Sequence, residues 1–178
     1  MADKLSPAVF LDRDGTIMRD VDYCGDPKDV DVFDGVTASL RKLKNRGYKV
    51  FVITNQSGIA RGYFTEEQYR AVEREVLRHV GEDLIDATYM CPDKPNSGSK
   101  RRKPSPEMIL EAARHHHVDL ARSFFIGDKE SDMKCGRNAG VKTILVRTGY
   151  GKGTNERLVD FVAHDFIEAA DVILNATS

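Results

Sequence analysis

Apolar residues along this chain fall into short blocks separated by polar, glycine-punctuated segments, and two spacings alternate. Ala8–Leu11, Lys49–Thr54, Ala87–Cys91, Ser123–Asp128 and Lys142–Arg147 are apolar or β-branched runs of strand length, each followed by a polar break. Runs without strict alternation are what strands buried on both faces require. Between them the period lengthens. Val36, Leu40 and Leu43 recur at helical spacing before Gly47, which predicts a helix over 36–46. Thr65-Glu66-Glu67-Gln68 has the form of a capping box and opens a helix to about Val80, stopped by Gly81. Ser105-Pro106-Glu107 starts another helix with proline at a first helical position, and a further helix runs from about Lys129 to Asn138, ended by Gly140. Asp171–Leu174 is expected as a sixth strand. This alternation predicts an α/β fold, a three-layer Rossmann-like core whose mainly parallel sheet is covered on both faces. At 178 residues, a single domain over 1–178 is expected.

In such folds ligands bind at the carboxyl ends of the strands, and there the chemistry collects. The first run ends in Asp12-Arg13-Asp14-Gly15-Thr16. Side chains at i and i+2 of an extended segment share a face, so Asp12 and Asp14 repel unless a cation intervenes. An acidic turn is the plainer alternative, since Asp-Gly is a common turn signal. The second run ends in Thr54-Asn55-Gln56-Ser57, the loop 92–104 carries Lys103, and the fourth run delivers Asp128, with Asp132 one helical turn later. Hard oxygens from Asp12, Asp128 and Asp132 suit Mg²⁺, and the metal with Lys103 would let a phosphate enter. Asp12 is then placed to attack phosphorus and Asp14 to protonate the leaving alcohol and later activate water, while Thr54 holds a phosphoryl oxygen. The irregular stretch 18–33 is long for a connection and reads as a functional loop.

Bulk properties narrow the class. Net charge is −1, from 27 basic and 28 acidic residues, which argues against nucleic-acid or membrane partners held by bulk electrostatics. Three cysteines without a Cys-x-x-Cys pair do not form a disulfide framework. Residues 1–7 show no apolar leader and no run reaches spanning length, so a cytoplasmic monomer is expected. Other features read plainly: His115–His117 as a solvated helix end, Gly149–Gly153 as a flexible loop beside the pocket at most, Lys100 and Arg101 as solvated, Cys24 as a loop residue near the site and Cys135 as helix packing. Asp3, Asp26, Asp29 and Asp31 read as surface acids.

Asp12-Arg13-Asp14-Gly15-Thr16, Thr54, Lys103 and Gly127-Asp128-Lys129-Glu130-Ser131-Asp132 resemble the four ordered motifs of the haloacid dehalogenase-like (HAD) phosphatases. Within that superfamily, Thr54 to Gly62 and Arg102-Lys103-Pro104 are similar to the heptose 1,7-bisphosphate 7-phosphatases and their histidinol-phosphate phosphatase relatives. The resemblance implies a core with no large cap domain, Mg²⁺ and a small phosphorylated sugar substrate, with the 7-phosphate of heptose 1,7-bisphosphate as the expected ester. Histidinol phosphate or another small-metabolite ester is the alternative, and a phospho-accepting receiver domain is the rival of another class. By position, Asp12, Asp14 and Asp128 would hold the metal, with Asp132 in support. Substrate contacts would fall at Asp20, Tyr23, Asn55, Gln56, Ser57, Arg61, Arg102 and Lys129. The chain departs from the family in two places. Cys91 stands at the first position of a zinc loop of three Cys and one His, but Asp93 replaces the His and the later Cys pair is absent. One Cys and one Asp cannot make a tight zinc site, so no structural zinc is expected. Met18 stands where the heptose enzymes usually carry Asn.

Overall fold

The computed structural model describes residues 5–176. The readings of the first four residues, Asp3 included, lie outside them. Six strands, β1 (Ala8–Leu11), β2 (Lys49–Asn55), β3 (Ala87–Cys91), β4 (Phe124–Gly127), β5 (Lys142–Val146) and β6 (Phe161–Ala163), form one sheet in the order β3-β2-β1-β4-β5-β6. Every pairing is parallel, with Phe10 opposite Phe51 on one side of β1 and Phe125 on the other. The helices are α1 (Val36–Asn45), α2 (Gly58–Arg61), α3 (Glu66–Val80), α4 (Glu107–His116), α5 (Glu130–Ala139) and α6 (Phe166–Ala176).

Alternation along the strands distributes the side chains between two cores. Val9, Leu11, Val50, Val52, Ile126 and Ile144 pack with α1, α3 and α6. Ala8, Phe10, Phe51, Ile53 and Phe125 face the other way, onto Met108, Ile109 and Ala112 of α4 and Cys135 and Ala139 of α5. Both faces of the sheet are covered, as continuous apolar strands demand. The strand order reverses between β1 and β4, and at such a switch point the flanking connections diverge and leave a crevice. No helix among the described residues is long and apolar enough to cross a membrane.

Local signals set the boundaries. Thr65 and Gln68 form the reciprocal capping box that opens α3, and Gly140 closes α5 in the left-handed conformation. The expected strand at 171–174 is part of α6. Phe166, Ala169, Ala170 and Ile173 are the buried residues there, a helical stripe at i, i+3, i+4 and i+7 that outweighs the apolar run Val172-Ile173-Leu174. The sixth strand lies earlier, as the three-residue edge β6, too short to show a period. The short α2 falls within the stretch after β2 that reads as a loop. The histidine tract is only partly solvated: the His116 ring packs 4.7 Å from Phe51, and His117 ends α4 at a φ of 53°.

Candidate active site

β1 and β4 deliver their acids side by side. The Asp12 amide donates to Ile126 O (3.0 Å), so the chain leaves β1 still registered on β4. It then turns sharply, with the Gly15 amide on Met18 O (2.8 Å). Gly15 sits at φ +84°, and a Cβ there would lie 2.4 Å from Asp128 Oδ2. Glycine is required twice over, by conformation and by the carboxylate behind it.

Asp12, Asp128 and Asp132 are buried, with one carboxylate oxygen from each inside a 4.8 Å group. The buried Lys103 ammonium donates to Asp12 Oδ1 (2.7 Å) and Ile53 O (2.8 Å) and forms an ion pair with Asp132 Oδ1 (2.8 Å). Burial alone would lower its pKa, but Asp12 and Asp132 prevail and raise it. For Asp12, burial pushes upward, yet Lys103 and then Lys129 hold the carboxyl below its ordinary value. For Asp128 burial prevails over the weaker pull of Lys129 and the Tyr150 amide. Burial, then Asp12 and Asp132, push it up to about 8. The same burial and Asp12 raise Asp132. Asp128 Oδ2 accepts the Tyr150 amide (2.8 Å), while its Oδ1 is buried without a partner. Asp132 spends Oδ1 on Lys103 and Oδ2 on the Lys129 amide (3.0 Å). A cluster of hard oxygens carrying more negative than positive charge, in which Asp128 Oδ1 has neither a hydrogen bond nor an ion pair among the described residues, fits a small divalent cation.

Asp12, Asp132 and Lys103 lie at the floor of a cleft of about 240 Å³. Of the residues expected in the site, Asp12, Asp14, Asp20, Tyr23, Asn55, Gln56, Ser57, Arg102, Lys103, Lys129 and Asp132 line it. Asp14 is held at the wall by Arg13 (Nε 3.1 Å, Nη2 3.0 Å) and by Gln56 Nε2 (2.8 Å). The remaining placements differ from the sequence reading. Thr54 is buried behind the lining, its Oγ1 accepting from Gln56 Nε2 (2.8 Å). Asn55 turns both ends of its amide to the Lys103 main chain, at 3.1 and 3.2 Å, and so serves the lysine loop. Arg61 stands outside the lining, its guanidinium 6.0 Å from the Tyr23 ring. Asp128 lies beneath the floor.

Asp22, Cys24, Ser131 and Tyr150 also line the cleft. Ser131 lies inside the Gly127–Asp132 motif. Tyr150 belongs to the Gly149–Gly153 loop, whose amide and glycines close over Asp128: a Cβ on Gly149 would lie 2.2 Å from Asp128 Oδ2. That loop is part of the site, not a bystander. Cys24 borders the cleft as a thiol that burial raises to about 11. Cys135 packs in α5 with its Sγ on Ser105 O (3.1 Å).

The lysine loop is held by hydrogen bonds centred on Ser99. Its Oγ accepts the Arg101 and Arg102 amides (3.2 and 3.3 Å) and lies 3.6 Å from Cys91 Sγ, which also contacts Asp93 Oδ2 (3.4 Å). Arg101 is not merely solvated: it donates to Met90 O (3.2 Å) and pairs with Glu111. Arg102 reaches Asp93 O (2.8 Å).

Residues 100–169 match the family model described as HAD-hydrolase-like. The chain is 44% identical over 145 residues to the D-glycero-beta-D-manno-heptose-1,7-bisphosphate 7-phosphatase of Helicobacter pylori strain J99, covering 79% of this chain and 83% of that one. It is 42% identical over 156 residues to the protein of the same name from Escherichia coli K12, covering 82% of each. The chain belongs to this family of HAD-like phosphatases. Its fold matches the crystal structure of D,D-heptose 1,7-bisphosphate phosphatase from B. bronchiseptica complexed with magnesium and phosphate, at a TM-score of 0.87 and 31% identity, over 96% of this chain and 99% of that one. A putative HAD-like phosphatase from Mesorhizobium loti gives a TM-score of 0.79 at 33% identity, over 96% and 85% of the two chains. As a HAD-like phosphatase the protein is a phosphoric monoester hydrolase.

Proposed function

We propose that the protein removes the 7-phosphate of D-glycero-D-manno-heptose 1,7-bisphosphate, with Asp12 as nucleophile. The observation that carries the mechanism is the Asp12 carboxylate, buried at the floor of the cleft and fixed by Lys103 at 2.7 Å. The substrate is taken from the named activity of the relatives at 40–44% identity.

Asp12 attacks phosphorus, forming the acyl phosphate as the bond to the ester oxygen breaks. Asp14, aligned by Gln56 and Arg13, gives that oxygen a proton. Asp14 then takes a proton from the water that cleaves the acyl phosphate, which restores Asp12 and releases phosphate. Lys103 neutralises charge on the transferring group, and Thr54, steadied by Gln56, lies behind the same position. Held by Asp12, Asp128 and the Asp14 main chain, Mg²⁺ would supply positive charge opposite the phosphoryl oxygens. Asp128 is the better ligand, because it keeps an unused oxygen while Asp132 gives both of its own to Lys103 and the Lys129 amide. Asn55 acts through Lys103. Gln56, Ser57, Asp20, Tyr23, Arg102 and Lys129 contact the sugar phosphate. The working unit is a cytoplasmic monomer of one domain over 1–178, with no nucleic-acid partner and no structural zinc.

Phosphate release is measured with and without Mg²⁺ from heptose 1,7-bisphosphate, histidinol phosphate and an aryl phosphate, beside Asp12→Asn. The expected result is Mg²⁺-dependent preference for the heptose ester, lost by at least about 10³-fold in the variant. Preference for another ester overturns the substrate, and stable phosphorylation without turnover overturns the enzyme mechanism.

A further inference from the structure

The large apolar side chains left exposed are not scattered. Of Leu5, Val21, Tyr23, Tyr63, Tyr150 and Val162, four lie in or against segments bordering the cleft. Single exposed apolar residues need no explanation, but a group at the mouth of a site does. Tyr63, 60% exposed, packs edge-on to Tyr23 with centroids 4.7 Å apart. Tyr23 is held out to meet it by backbone strain: Asp22 and Tyr23 are consecutive non-glycine residues at φ 51° and 62°. The left-handed region is unfavourable for non-glycine residues, and strain of this kind gathers at ligand-binding segments.

Arg61 adds a charge to this wall. Its guanidinium stands beside the Tyr23 ring, and its side chain has no carboxylate partner among the described residues. Arg102, on the cleft wall, has the Asp93 carbonyl as its guanidinium's only hydrogen-bond partner among the described residues. Burial lowers the Arg102 pKa, and repulsion from Arg61 acts in the same direction. Two neighbouring guanidiniums, neither ion-paired to a carboxylate among the described residues, are an arrangement that an anion would relieve. The reacting phosphate cannot be that anion, because its place is on the floor with Asp12 and Lys103.

We propose that Arg61 and Tyr63 are specificity-determining residues which, with Tyr23 and Arg102, form an outer wall for the second phosphate group of a sugar bisphosphate. The inference rests on the reading of the site as a sugar-phosphate phosphatase. Tyr63 contributes a flat face and Arg61 the charge. A sugar carrying one phosphate reaches the floor but leaves this wall unused.

The test compares kcat/KM for heptose 1,7-bisphosphate and heptose 7-phosphate in the wild type, Arg61→Ala and Tyr63→Ala. Fructose 1,6-bisphosphate and fructose 6-phosphate run as a second pair. Each variant is expected to lower the bisphosphate-to-monophosphate ratio by about tenfold or more, chiefly through KM, with an unchanged melting temperature because both side chains are exposed. Equal losses on both members of a pair mean a disturbed cleft and overturn the proposal, as does an unchanged ratio or a wild type that makes no distinction. Retained bisphosphate selectivity on the fructose pair, without preference for heptose, overturns the heptose reading and leaves the wall standing.

Discussion

Asp128→Asn should make the metal-free protein more stable while removing its response to magnesium. The Asp128 carboxyl is fully buried, and its pKa rises from 3.8 to about 8 through burial and the neighbouring Asp12 and Asp132. An acid raised in the folded state is protonated there while the unfolded chain has already lost its proton. Between the two pKa values the folded state therefore binds more protons, and its stability falls as pH rises. At pH 7 the difference corresponds to about 4 kcal/mol of lost stability, at roughly 1.4 kcal/mol per pH unit. Asparagine keeps the shape: its carbonyl can still accept the Tyr150 amide, and its NH₂ group can donate toward the neighbouring carboxylates. In a domain of this size the gain corresponds to a rise in Tm on the order of 10 °C. Thermal melts in chelator, repeated from about pH 5 to about pH 8, should show the two proteins converging at acid pH and separating toward neutrality. Magnesium should then raise the wild-type Tm and leave the variant unmoved. A chelated variant melting at or below the wild type at pH 7, or one still stabilised by magnesium, would refute the argument that Asp128 is an under-compensated acid waiting for a cation.

Three further outcomes follow from the same geometry. Lys103→Met removes the ammonium that pairs with both Asp12 and Asp132. It should cost about 3–5 kcal/mol in urea unfolding of the metal-free protein, since one partner of a buried pair is lost; wild-type stability would contradict this. Gly15→Ala forces a left-handed alanine against Asp128 Oδ2, so magnesium affinity by titration calorimetry should fall by tenfold or more, roughly the loss expected when a metal ligand is displaced. His116 has its pKa lowered below 6.5 by burial and by Lys49. The stability it contributes is present above that value and declines as pH falls below it. His116→Gln should flatten the loss of urea resistance between about pH 8 and about pH 5, and an unchanged slope would exclude His116 as a source of acid sensitivity.

The elements legible in the sequence are those whose signal is local and long. β1, β3 and α3 fall within a residue of their expected limits because unbroken apolar runs and a capping box mark them. The acids at the ends of β1 and β4 were equally plain, since a charged residue closing a buried strand has nowhere to go but the ligand crevice. Partnership was harder to read. Asn55 and Gln56 are amides at a strand end, and nothing in their order shows that one braces the lysine loop while the other aligns Asp14. Tyr150 reaches the cleft because its loop folds back on Asp128 through an amide, a contact that depends on backbone and leaves no side-chain signature. The apolar triad at 172–174 misled for the opposite reason: three adjacent apolar residues look like a strand until the partners at 166, 169 and 170 are counted on the same face.

The reversal of strand order at β1 and β4 has a consequence for the whole molecule. Strands β1 to β3 come from residues 8–91 and β4 to β6 from residues 124–163, and within the sheet these two parts touch along a single ladder. Asp12 and Asp128 cap the two sides of that ladder, and Lys103, 91 residues from Asp12 along the chain, reaches across to it. The catalytic centre is thus also the suture between two halves of the sheet. Loading it with substrate or ion should slow hydrogen exchange along β1 and β4 first, far from any residue that touches the sugar.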